Sequence, residues 1–434
     1  MYSVKYPIDF NLHELVRNEL PMTYTMYENK NQIFKDVEEL FEYPNTHKKA
    51  MPFYVMSPSE ADKSYDTFNK VYNMLLHTLQ ILFNEDIEIV KDFFGREFLT
   101  KHSTFFEFAK YTFNAKQPAL YGRFDACMNP DTGNIEGIYE FNGDTPVMLF
   151  ESVVLQNIFS THVTGSNENQ FNNFYHTLQG FVKNLYPKYN FGVICNTDYI
   201  EDSVTSETFA QIFNEKKEAQ FSDIENFEFD FTIKDRTPFT LDGISVSDIF
   251  ILHPWEEMLE IQPDFFKNWE TWKDKVKFYE PAWRWFLANK GIWAYVTYLM
   301  DSNSTFNDLY KDLPILKSYL SPDIFIEKGQ SYVAKPLIGR LSMNIQIFKD
   351  GSKDVSYESE GGYHGTQCIY QEFKEPYKVE GRNKFIACCW MAPLLSEYDT
   401  TNSVRSEAAT MCFREFDTEV LSISNERFIP HLVL

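Results

Sequence analysis

Four side chains that could bind ions lie close together in the segment YGRFDACMNPDTGNIEGIYEFNGD, residues 121–144. Arg123 and Asp125 are on one short apolar stretch, and Glu140 and Asn142 are on the next. The turn-forming residues between them predict two neighbouring strands, and residues two apart on a strand share a face. Such oxygen ligands suit Mg²⁺ beside a phosphate, and Arg123 would clamp an anion. A hairpin that ends in solvated charges is the alternative.

Four basic side chains further along the chain are candidates for binding phosphate. Lys335 lies in the apolar segment YVAKP, where an unpaired ammonium is unfavourable, and Lys290 ends the helical pattern in ANKGIW. Arg340 lies in the loop IGRLSMN, which could close over a phosphoryl group, and Arg414 leaves the apolar segment CFREFD. The alternatives are a cation at a helix C-terminus for Lys290, a generic turn for Arg340 and a surface position for Arg414.

Polar residues after two other apolar segments suit a nucleotide base or an amine. Gln371 and Glu372, in CIYQEF, would lie beside adenine and ribose, although a polar pair at a sheet edge fits equally well. Glu201 and Asp202 follow FGVICNT, and this acidic pair could receive an amine, as could the two glutamates of HPWEEM. Solvated helix starts are the alternative for both pairs. The chain lacks GxSxG, GxxxxGK[ST], GxGxxG and HExxH, which argues against α/β-hydrolases, P-loop NTPases, Rossmann dehydrogenases and zinc proteases.

The composition favours a large folded protein that binds neither nucleic acid nor membranes. The chain has 434 residues, of which 44% are hydrophobic and 17% aromatic, so a large aromatic core is expected. A net charge of −23 repels nucleic acid and anionic membranes and attracts cations such as polyamines, or it simply provides solubility. No membrane span or signal peptide is evident. Six cysteines without a CxxC pair predict free thiols in a reducing, cytoplasmic setting.

The elements that must position these residues alternate between helices and strands. Residues 4–99 are predicted to be mostly helical, and Thr145 and Pro146 are predicted to begin a helix through residue 159. FGVICNT, at 191–197, is typical of a buried parallel strand. Further helices are predicted at 203–220 and 254–300, and a surface loop is predicted at 396–408. Further strands are predicted at 227–235, within 325–350 and in the segments CIYQEF, FIACCWMAPLL, AATMCFREFD and RFIPHLVL. This alternation predicts an α/β (α+β) class in one multi-lobed unit.

In their order along the chain, these motifs resemble the synthetase domain of glutathionylspermidine synthases. The matching motifs are YGRFD, YEFNGDTP, HPWEEM, EPAWRWFLANK, YVAKPLIGR, IYQEF, FREFD and RFIPH, from about residue 115 to the C-terminus. The resemblance implies an ATP-grasp fold in a single unit over 1–434, with a helical part at 1–114, a metal and substrate lobe at 115–260 and ATP-grasp lobes at 261–434. It implies that ATP and Mg²⁺ activate a peptide carboxylate as an acyl phosphate, which an amine of spermidine attacks. The amidase domain of some members is expected to be absent.

The resemblance also implies a role for each residue that matches a family motif. Asp125, Glu140 and Asn142 would bind magnesium, and Arg123 would contact the transferred phosphoryl group. Arg340 would be the arginine of the mobile loop, and Lys290 and Lys335 would bind the ATP phosphates. Gln371 and Glu372 would lie on the adenine side, and Arg414 would lie at the acid-substrate and phosphate site. Two motifs depart from the family. Its loop Gly-Arg-Glu-Gly-x-Asn is Gly-Arg-Leu-Ser-Met-Asn here, and Gly-Asp-Glu after the late arginine is Glu-Phe-Asp.

Three functions are compatible with the sequence. The first is an ATP-dependent carboxylate–amine ligase for a glutathione-like acid and a spermidine-like amine. The second is a non-catalytic nucleotide- or polyamine-binding homologue, which the altered loop after Arg340 favours and the joint retention of phosphate and metal residues opposes. The third is a structural protein that uses its acidic surface, which predicts that nucleotide does not change thermal stability.

Overall fold

Helices dominate the first part of the chain in the computed structural model, which describes residues 1–8, 10–28, 50–394, 403–422 and 425–434. Two strands also occur there. In chain order these elements are β1 (Tyr2–Pro7), α1 (Leu12–Glu19), α2 (Pro21–Glu28), β2 (Ala50–Met56), α3 (Pro58–Leu82), α4 (Ile87–Phe94), α5 (Arg96–Lys101) and α6 (Ser103–Asn114).

Strands and helices alternate in the middle of the chain. They are β3 (Arg123–Met128), β4 (Ile135–Asn142), a π-helical turn (Glu151–Leu155), α7 (Gln156–Thr164), α8 (Phe174–Lys183), β5 (Asn190–Cys195), α9 (Ile200–Asn214), β6 (Ala219–Asp223), β7 (Phe227–Phe229), β8 (Phe239–Leu241), β9 (Ile244–Leu252), α10 (Trp255–Ile261) and β10 (Lys277–Tyr279). Short 3₁₀ turns occur at Ile224–Asn226 and Trp269–Thr271.

The last part of the chain contains a group of short helices and then mainly strands. They are α11 (Arg284–Ala288), α12 (Gly291–Ser302), α13 (Ser304–Tyr310), β11 (Ser318–Tyr319), α14 (Asp323–Glu327), β12 (Tyr332–Pro336), β13 (Gln346–Phe348), β14 (Tyr357–Glu358), β15 (Cys368–Glu372), β16 (Lys384–Pro393), β17 (Ser406–Phe416), β18 (Arg427–Ile429) and β19 (His431–Val433).

The described strands form four sheets. The central sheet has the antiparallel order β18-β17-β16-β3-β4, and the small sheet has the antiparallel order β11-β15-β12-β13-β14. The mixed sheet contains parallel pairs between β6, β5, β9 and β10 and an antiparallel meander of β7, β8 and β9. The terminal sheet, β1-β2-β19, joins the two ends of the chain. This mixture of helices and sheets agrees with the predicted α/β class.

Helix α3 shows how local sequence supports the central sheet. Ser57 and Glu60 form a capping box: the Ser57 hydroxyl accepts from the Glu60 amide at 3.3 Å, and a Glu60 oxygen accepts from the Ser57 amide at 2.7 Å. Pro58 in the first turn fits a helix start. On the buried face, Phe68 stacks on Phe124 of β3 at a centroid distance of 5.5 Å. Strand β3, which carries Arg123 and Asp125, is thereby packed from behind.

A dense aromatic core lies beside the central sheet, as the 17% aromatic content predicts. Phe105 contacts Phe266 at 5.5 Å and Trp285 at 5.5 Å between ring centres, and Phe266 contacts Phe108 at 4.7 Å. These tilted, edge-on and stacked ring pairs hold α6 against the segment that carries Lys290. All six cysteines are free, and five of them are buried. No helix in the described ranges combines the length and apolarity that a bilayer span requires.

Several predicted boundaries are wrong. The described part of residues 4–99 is mostly helical, as predicted, but residues 2–7 and 50–56 are strands that the prediction lacks. The predicted helix at 203–220 covers 200–214, and residues 219–223 are a strand. The predicted strand at 227–235 ends at 229, because the chain turns there to form the meander.

The helix predicted to begin at Thr145 and Pro146 starts later. Met148 has a left-handed backbone (φ 75°), and residues 145–148 are neither helix nor strand. Of the predicted loop at 396–408, residues 396–402 lie outside the described ranges, and residues 406–408 belong to β17.

Candidate active site

Strands β3 and β4 bring the predicted metal residues together. In their antiparallel register Asp125 lies opposite Glu140, and Arg123 lies opposite Asn142. The Asn142 amide nitrogen is 3.2 Å from a Glu140 oxygen and 3.5 Å from an Asp125 oxygen. The pleat places residues two apart on the same face, so all four side chains lie on one side of the central sheet.

Arg123 is fixed beside this cluster by three hydrogen bonds. Its Nε and Nη2 atoms donate to the two oxygens of Asp125 at 2.7 and 3.0 Å, and its Nη1 atom donates to the Val147 carbonyl at 2.8 Å. The Trp390 ring lies 5.5 Å from the guanidinium carbon. A buried guanidinium held on three sides keeps its position without reorganisation, which suits contact with a developing charge.

Two lysines from different elements approach the same cluster. Lys290 Nζ lies 3.3 Å from Glu140 and donates to the Gly339 carbonyl at 2.7 Å. Lys335 Nζ donates to Gln371 Oε1 at 2.8 Å and to the Tyr139 carbonyl at 3.2 Å. The ammonium of Lys290 thus bonds to groups outside its own helix region, which disfavours the alternative of a simple helix C-terminal cation.

These lysines and Glu140 shift one another's protonation. Burial alone would raise the pKa of Glu140, but Lys290, Lys335 and Arg123 lower it to about 2. Burial lowers the pKa of Lys335 to about 8, and Lys290 acts in the same direction while Glu140 opposes it. Two crowded ammonium groups with one carboxylate leave excess positive charge, as a phosphate site requires.

Arg414, on β17, also reaches the cluster. Its Nη1 atom donates to Asp125 at 3.2 Å, and its Nε atom donates to Glu426 at 2.6 Å. The strand order places β16 between β17 and β3, so the long arginine side chain crosses above β16 to meet Asp125. Arg414 is buried, which rules out the surface alternative.

The loop that carries Arg340 is docked against residues of the cavity through the arginine side chain. The guanidinium donates to Asp144 at 2.8 Å, to Thr145 at 3.3 Å and to Glu256. Leu341, Ser342 and Asn344 all have left-handed backbones, with φ of 57°, 56° and 54°. Ser342 occupies the second glycine position of the family loop, so its side chain adds strain that glycine would avoid.

Gln371 and Glu372 lie on β15, an interior strand of the small sheet. Their backbones pair with Val333 and Tyr332 of β12, and the Glu372 amide donates to the Lys317 carbonyl at 2.8 Å. The Gln371 side chain is buried and bonds to Lys335. Both residues border the cavity, and so does the connection after β15 through Phe373, Lys374 and Pro376.

All of the site residues predicted from the sequence line one cavity of about 800 Å³. We call Arg123, Lys290, Lys335 and Arg414 its cationic wall and Glu151, Glu201, Asp202, Glu256 and Glu257 its acidic wall. Arg340 forms an ion pair with Glu256 of the acidic wall. Burial raises the pKa of Asp202 to about 7, with Glu201 and Glu257 acting in the same direction. Carboxylates this close raise one another's pKa, Arg340 opposes this for Asp202, and a bound cation would favour the charged forms further.

The residues present fit a magnesium ion that is held partly by phosphate. Within the described ranges no group of three or more His, Cys, Asp or Glu side chains is arranged to hold a metal ion. The predicted set instead has two carboxylates and one amide, and both carboxylates lie within 3.5 Å of the Asn142 side-chain amide. Mg²⁺ commonly takes one or two carboxylates and completes its octahedron with phosphate oxygens and water.

Sequence reasoning missed several residues of the site. Asp144 and Glu151 line the cavity, and Arg284 lies beneath it, bonded to the Gly143 carbonyl at 2.8 Å. The signal available for Glu151 and Arg284 was a lone charge in an apolar stretch, VMLFESVVL and PAWRWFLA. Asp144 directly follows the Glu-Phe-Asn-Gly motif, and the sequence indicates only that it ends the strand segment.

Known proteins resemble this chain over most of its length. Residues 28–434 match the family described as glutathionylspermidine synthase preATP-grasp. A Haemophilus influenzae protein named provisionally as an acid–amine ligase is 24% identical over 402 residues, which cover 87% of this chain and 88% of that protein. Among solved structures, a glutathione synthetase-like effector from Globodera pallida in its apo form aligns with a TM-score of 0.53 and 11% identity, covering 98% of each chain. This likeness and the sheet content confirm the predicted α/β, ATP-grasp-like fold.

Proposed function

Because the chain belongs to the glutathionylspermidine synthase preATP-grasp family, we propose that it ligates a glutathione-like carboxylate to a spermidine-like amine, using ATP and Mg²⁺. The family and the name of the bacterial relative indicate an acid–amine ligase of the glutathionylspermidine synthase type. The observation that carries the finer proposal is a single cavity with a cationic wall and an acidic wall. An anionic triphosphate and a cationic amine each find a wall of opposite charge there.

The cationic wall suits the phosphates of ATP. Lys290 and Lys335 would neutralise the triphosphate, and Arg414 would hold a phosphate or the acid substrate. Asp125, Glu140 and Asn142 would hold Mg²⁺, which when bound neutralises phosphate charge and orients the triphosphate. Gln371 and Glu372 would border the adenine side of the nucleotide, next to the connection after β15.

The first chemical step forms a bond between a carboxylate oxygen of the acid and the γ-phosphorus of ATP, and ADP leaves. Arg123 is positioned to stabilise the charge on the transferred phosphoryl group, because its three hydrogen bonds keep it still. Arg340, which Asp144 and Glu256 hold, would act on the same group from its loop.

In the second step the amine nitrogen bonds to the acyl carbon, and phosphate leaves with the former carboxylate oxygen. The amine must lose a proton before it attacks. Glu201 and Asp202 would recruit the ammonium, and a carboxylate of the acidic wall would accept the proton. The pKa of Asp202, which burial raises to about 7, suits this exchange near neutral pH.

ADP production tests the proposed ligation. Purified protein with ATP and Mg²⁺ is screened against a panel of amines crossed with glutathione and short peptides. We expect ADP only when an acid and an amine are both present, together with an amide product by mass spectrometry. ADP release that needs no acid, or no ADP with any pair, would contradict the proposal.

A second candidate is a nucleotide- or polyamine-binding protein without ligase activity. The observation that favours it is the loop after Arg340, where Leu341 and Ser342 replace the acidic and glycine positions of the family and both are left-handed. This candidate predicts that ATP or spermidine raises the melting temperature while no ADP forms. A structural protein would show no melting shift with nucleotide at all.

A further inference from the structure

Glu151 is a deeply buried carboxyl group at the cavity that lacks a balancing partner. It is 7% exposed, and no described residue forms a hydrogen bond with its Oε2 atom. Glu151 is also one of the residues that line the cavity. A buried carboxyl oxygen without a partner is unfavourable, because burial removes the water that would otherwise solvate it.

The cations nearest to this part of the cavity are committed to other groups. Arg123 bonds to both oxygens of Asp125 and to Val147, and Arg414 bonds to Asp125 and Glu426. Neither guanidinium therefore donates a hydrogen bond to Glu151.

The groups that face Glu151 from neighbouring elements are acidic or neutral. They are Glu201 of α9, Cys412 of β17 and Glu426, which precedes β18. Burial raises the pKa of Glu151 to about 8, and these three groups act in the same direction. With a pKa of about 8, the carboxyl group is mostly protonated at neutral pH.

The backbone holds Glu151 close to the reacting centre. Glu151 begins the π-helical turn, and such turns occur frequently at functional sites. Thr410 donates to the Ser152 carbonyl at 3.1 Å, and Asn172 donates to the Val153 carbonyl at 2.8 Å, so the turn is anchored. The segment before it carries Val147, whose carbonyl accepts from Arg123. One short segment thus contacts Arg123 and presents Glu151.

We propose that Glu151 binds a primary ammonium group of a substrate in the cavity. The identity of the substrate rests on the proposed function, because both a spermidine-like amine and the α-ammonium of a glutathione-like acid carry this group. On binding, the ammonium donates to the Glu151 carboxylate, and the proton that Glu151 held leaves to solvent. The ammonium thereby supplies the missing hydrogen-bond donor and the missing charge.

Isothermal titration calorimetry without ATP tests this assignment. Spermidine and glutathione are titrated separately at pH 7 into wild type, Glu151→Gln and Glu168→Gln, an exposed carboxylate outside the cavity. Two buffers of different ionisation enthalpy give the number of protons released. Glutathione acetylated on its amino group serves as a ligand control without the ammonium.

We expect Glu151→Gln to weaken one of the two ligands by roughly 10- to 100-fold, because it removes a charge-assisted hydrogen bond. It should also abolish a release of about one proton per ligand, while Glu168→Gln changes neither quantity. The ligand that is affected identifies the source of the ammonium. Glu151→Asp, which keeps the charge but shortens the side chain, should retain proton release with weaker binding.

Unchanged affinity and proton release for both ligands in folded Glu151→Gln would overturn the inference, as would a wild type that binds neither ligand. If Glu151→Gln does not fold, Glu151→Asp with wild-type affinity and no proton release for either ligand would overturn it instead. ADP formation is measured separately. A wild type that binds the ammonium through Glu151 but forms no ADP contradicts the proposed ligation and leaves this inference intact.

Discussion

Asp125 is the residue on which the charges of the candidate site converge. It accepts hydrogen bonds from both Arg123 and Arg414, with its closest contacts to them at 2.7 and 3.2 Å. Because two arginines share one carboxylate, loss of either leaves Asp125 with a cationic partner. The site therefore allows one arginine to be removed without leaving a buried charge alone.

We predict that Arg123→Ala abolishes turnover without unfolding the protein. The variant should lose roughly 100- to 1,000-fold in ADP formation, as expected for a lost donor to a developing charge. Arg414 should keep Asp125 paired, so the far-UV circular dichroism spectrum should not change. Arg96→Ala, in an exposed pair with Glu88 and Asp92, is the matched control and should retain full activity. Near-normal turnover of Arg123→Ala would exclude its assigned role.

The pH dependence of stability provides a second residue-scale prediction. The pKa of Glu151 is about 8 in the folded protein and near 4.5 when unfolded. Between these values the unfolded state has lost the proton while the folded state retains it, so the wild type loses stability as pH rises. Glu151→Gln should remove this loss, with a relative gain that grows from pH 4.5 to 8 and reaches up to roughly 4 kcal/mol. Denaturant unfolding at several pH values measures it, and a pH-independent difference would contradict the prediction.

At the scale of elements, Arg284 connects the strands that form the site. Its guanidinium donates to the Tyr121 carbonyl before β3, to the Gly143 carbonyl after β4 at 2.8 Å and to the Tyr72 hydroxyl of α3 at 2.8 Å. The Glu280 carboxylate balances the positive charge of Arg284, with Oε2 of Glu280 at 3.3 Å from Nε of Arg284. This buried pair fixes the ends of both strands that carry the predicted metal residues.

We predict that Gly122→Ala destabilises this arrangement. A Cβ atom at Gly122 would lie 2.0 Å from Arg284 Nη2 and 2.7 Å from the Phe141 ring, so Arg284 would have to move. The expected loss is about 2–3 kcal/mol in the free energy of unfolding, from overpacking and broken hydrogen bonds. Gly362→Ala has open space around its Cβ and serves as the control. Equal stability of the two variants would show that the position of the Arg284 guanidinium does not require glycine at residue 122.

Local sequence predicts the β3–β4 pairing well, because a turn-forming segment separates two stretches that carry polar residues two apart. It does not predict β1 and β2, since they are completed by β19 at the other end of the chain. The helix start at Thr145 was wrong for a similar reason. Arg123 bonds to the Val147 carbonyl, and this contact between distant elements accompanies a non-helical segment where the sequence suggests a first helical turn.

At the scale of the whole molecule, the cavity forms where three sheets meet. The central sheet supplies Arg123 and Arg414, the small sheet supplies Lys335, and α9, after β5 of the mixed sheet, supplies Glu201 and Asp202. Each residue type and its local element could be predicted from the sequence. The sequence could not predict that the cationic wall and the acidic wall line the same cavity, because this depends on how the sheets are placed against one another.

The overall charge leads to a prediction about salt. A net charge of −23 should attract a cationic amine at low ionic strength, and salt should screen this attraction. We expect the KM for spermidine to rise about three- to tenfold between 20 and 300 mM NaCl. A monoamine of similar length is the control and should show a smaller increase. Equal salt dependence of the two amines would argue against long-range attraction.

Transfer of oxygen-18 tests the proposed acyl phosphate most directly. Glutathione labelled in its glycyl carboxylate is incubated with ATP, Mg²⁺, spermidine and the protein, and the released phosphate is analysed by mass spectrometry. The proposed ligation predicts that each phosphate carries one labelled oxygen from the carboxylate and that release requires the amine. Phosphate without label, formed while ADP accumulates, would mean that water rather than the carboxylate attacks ATP and would contradict the proposed ligase.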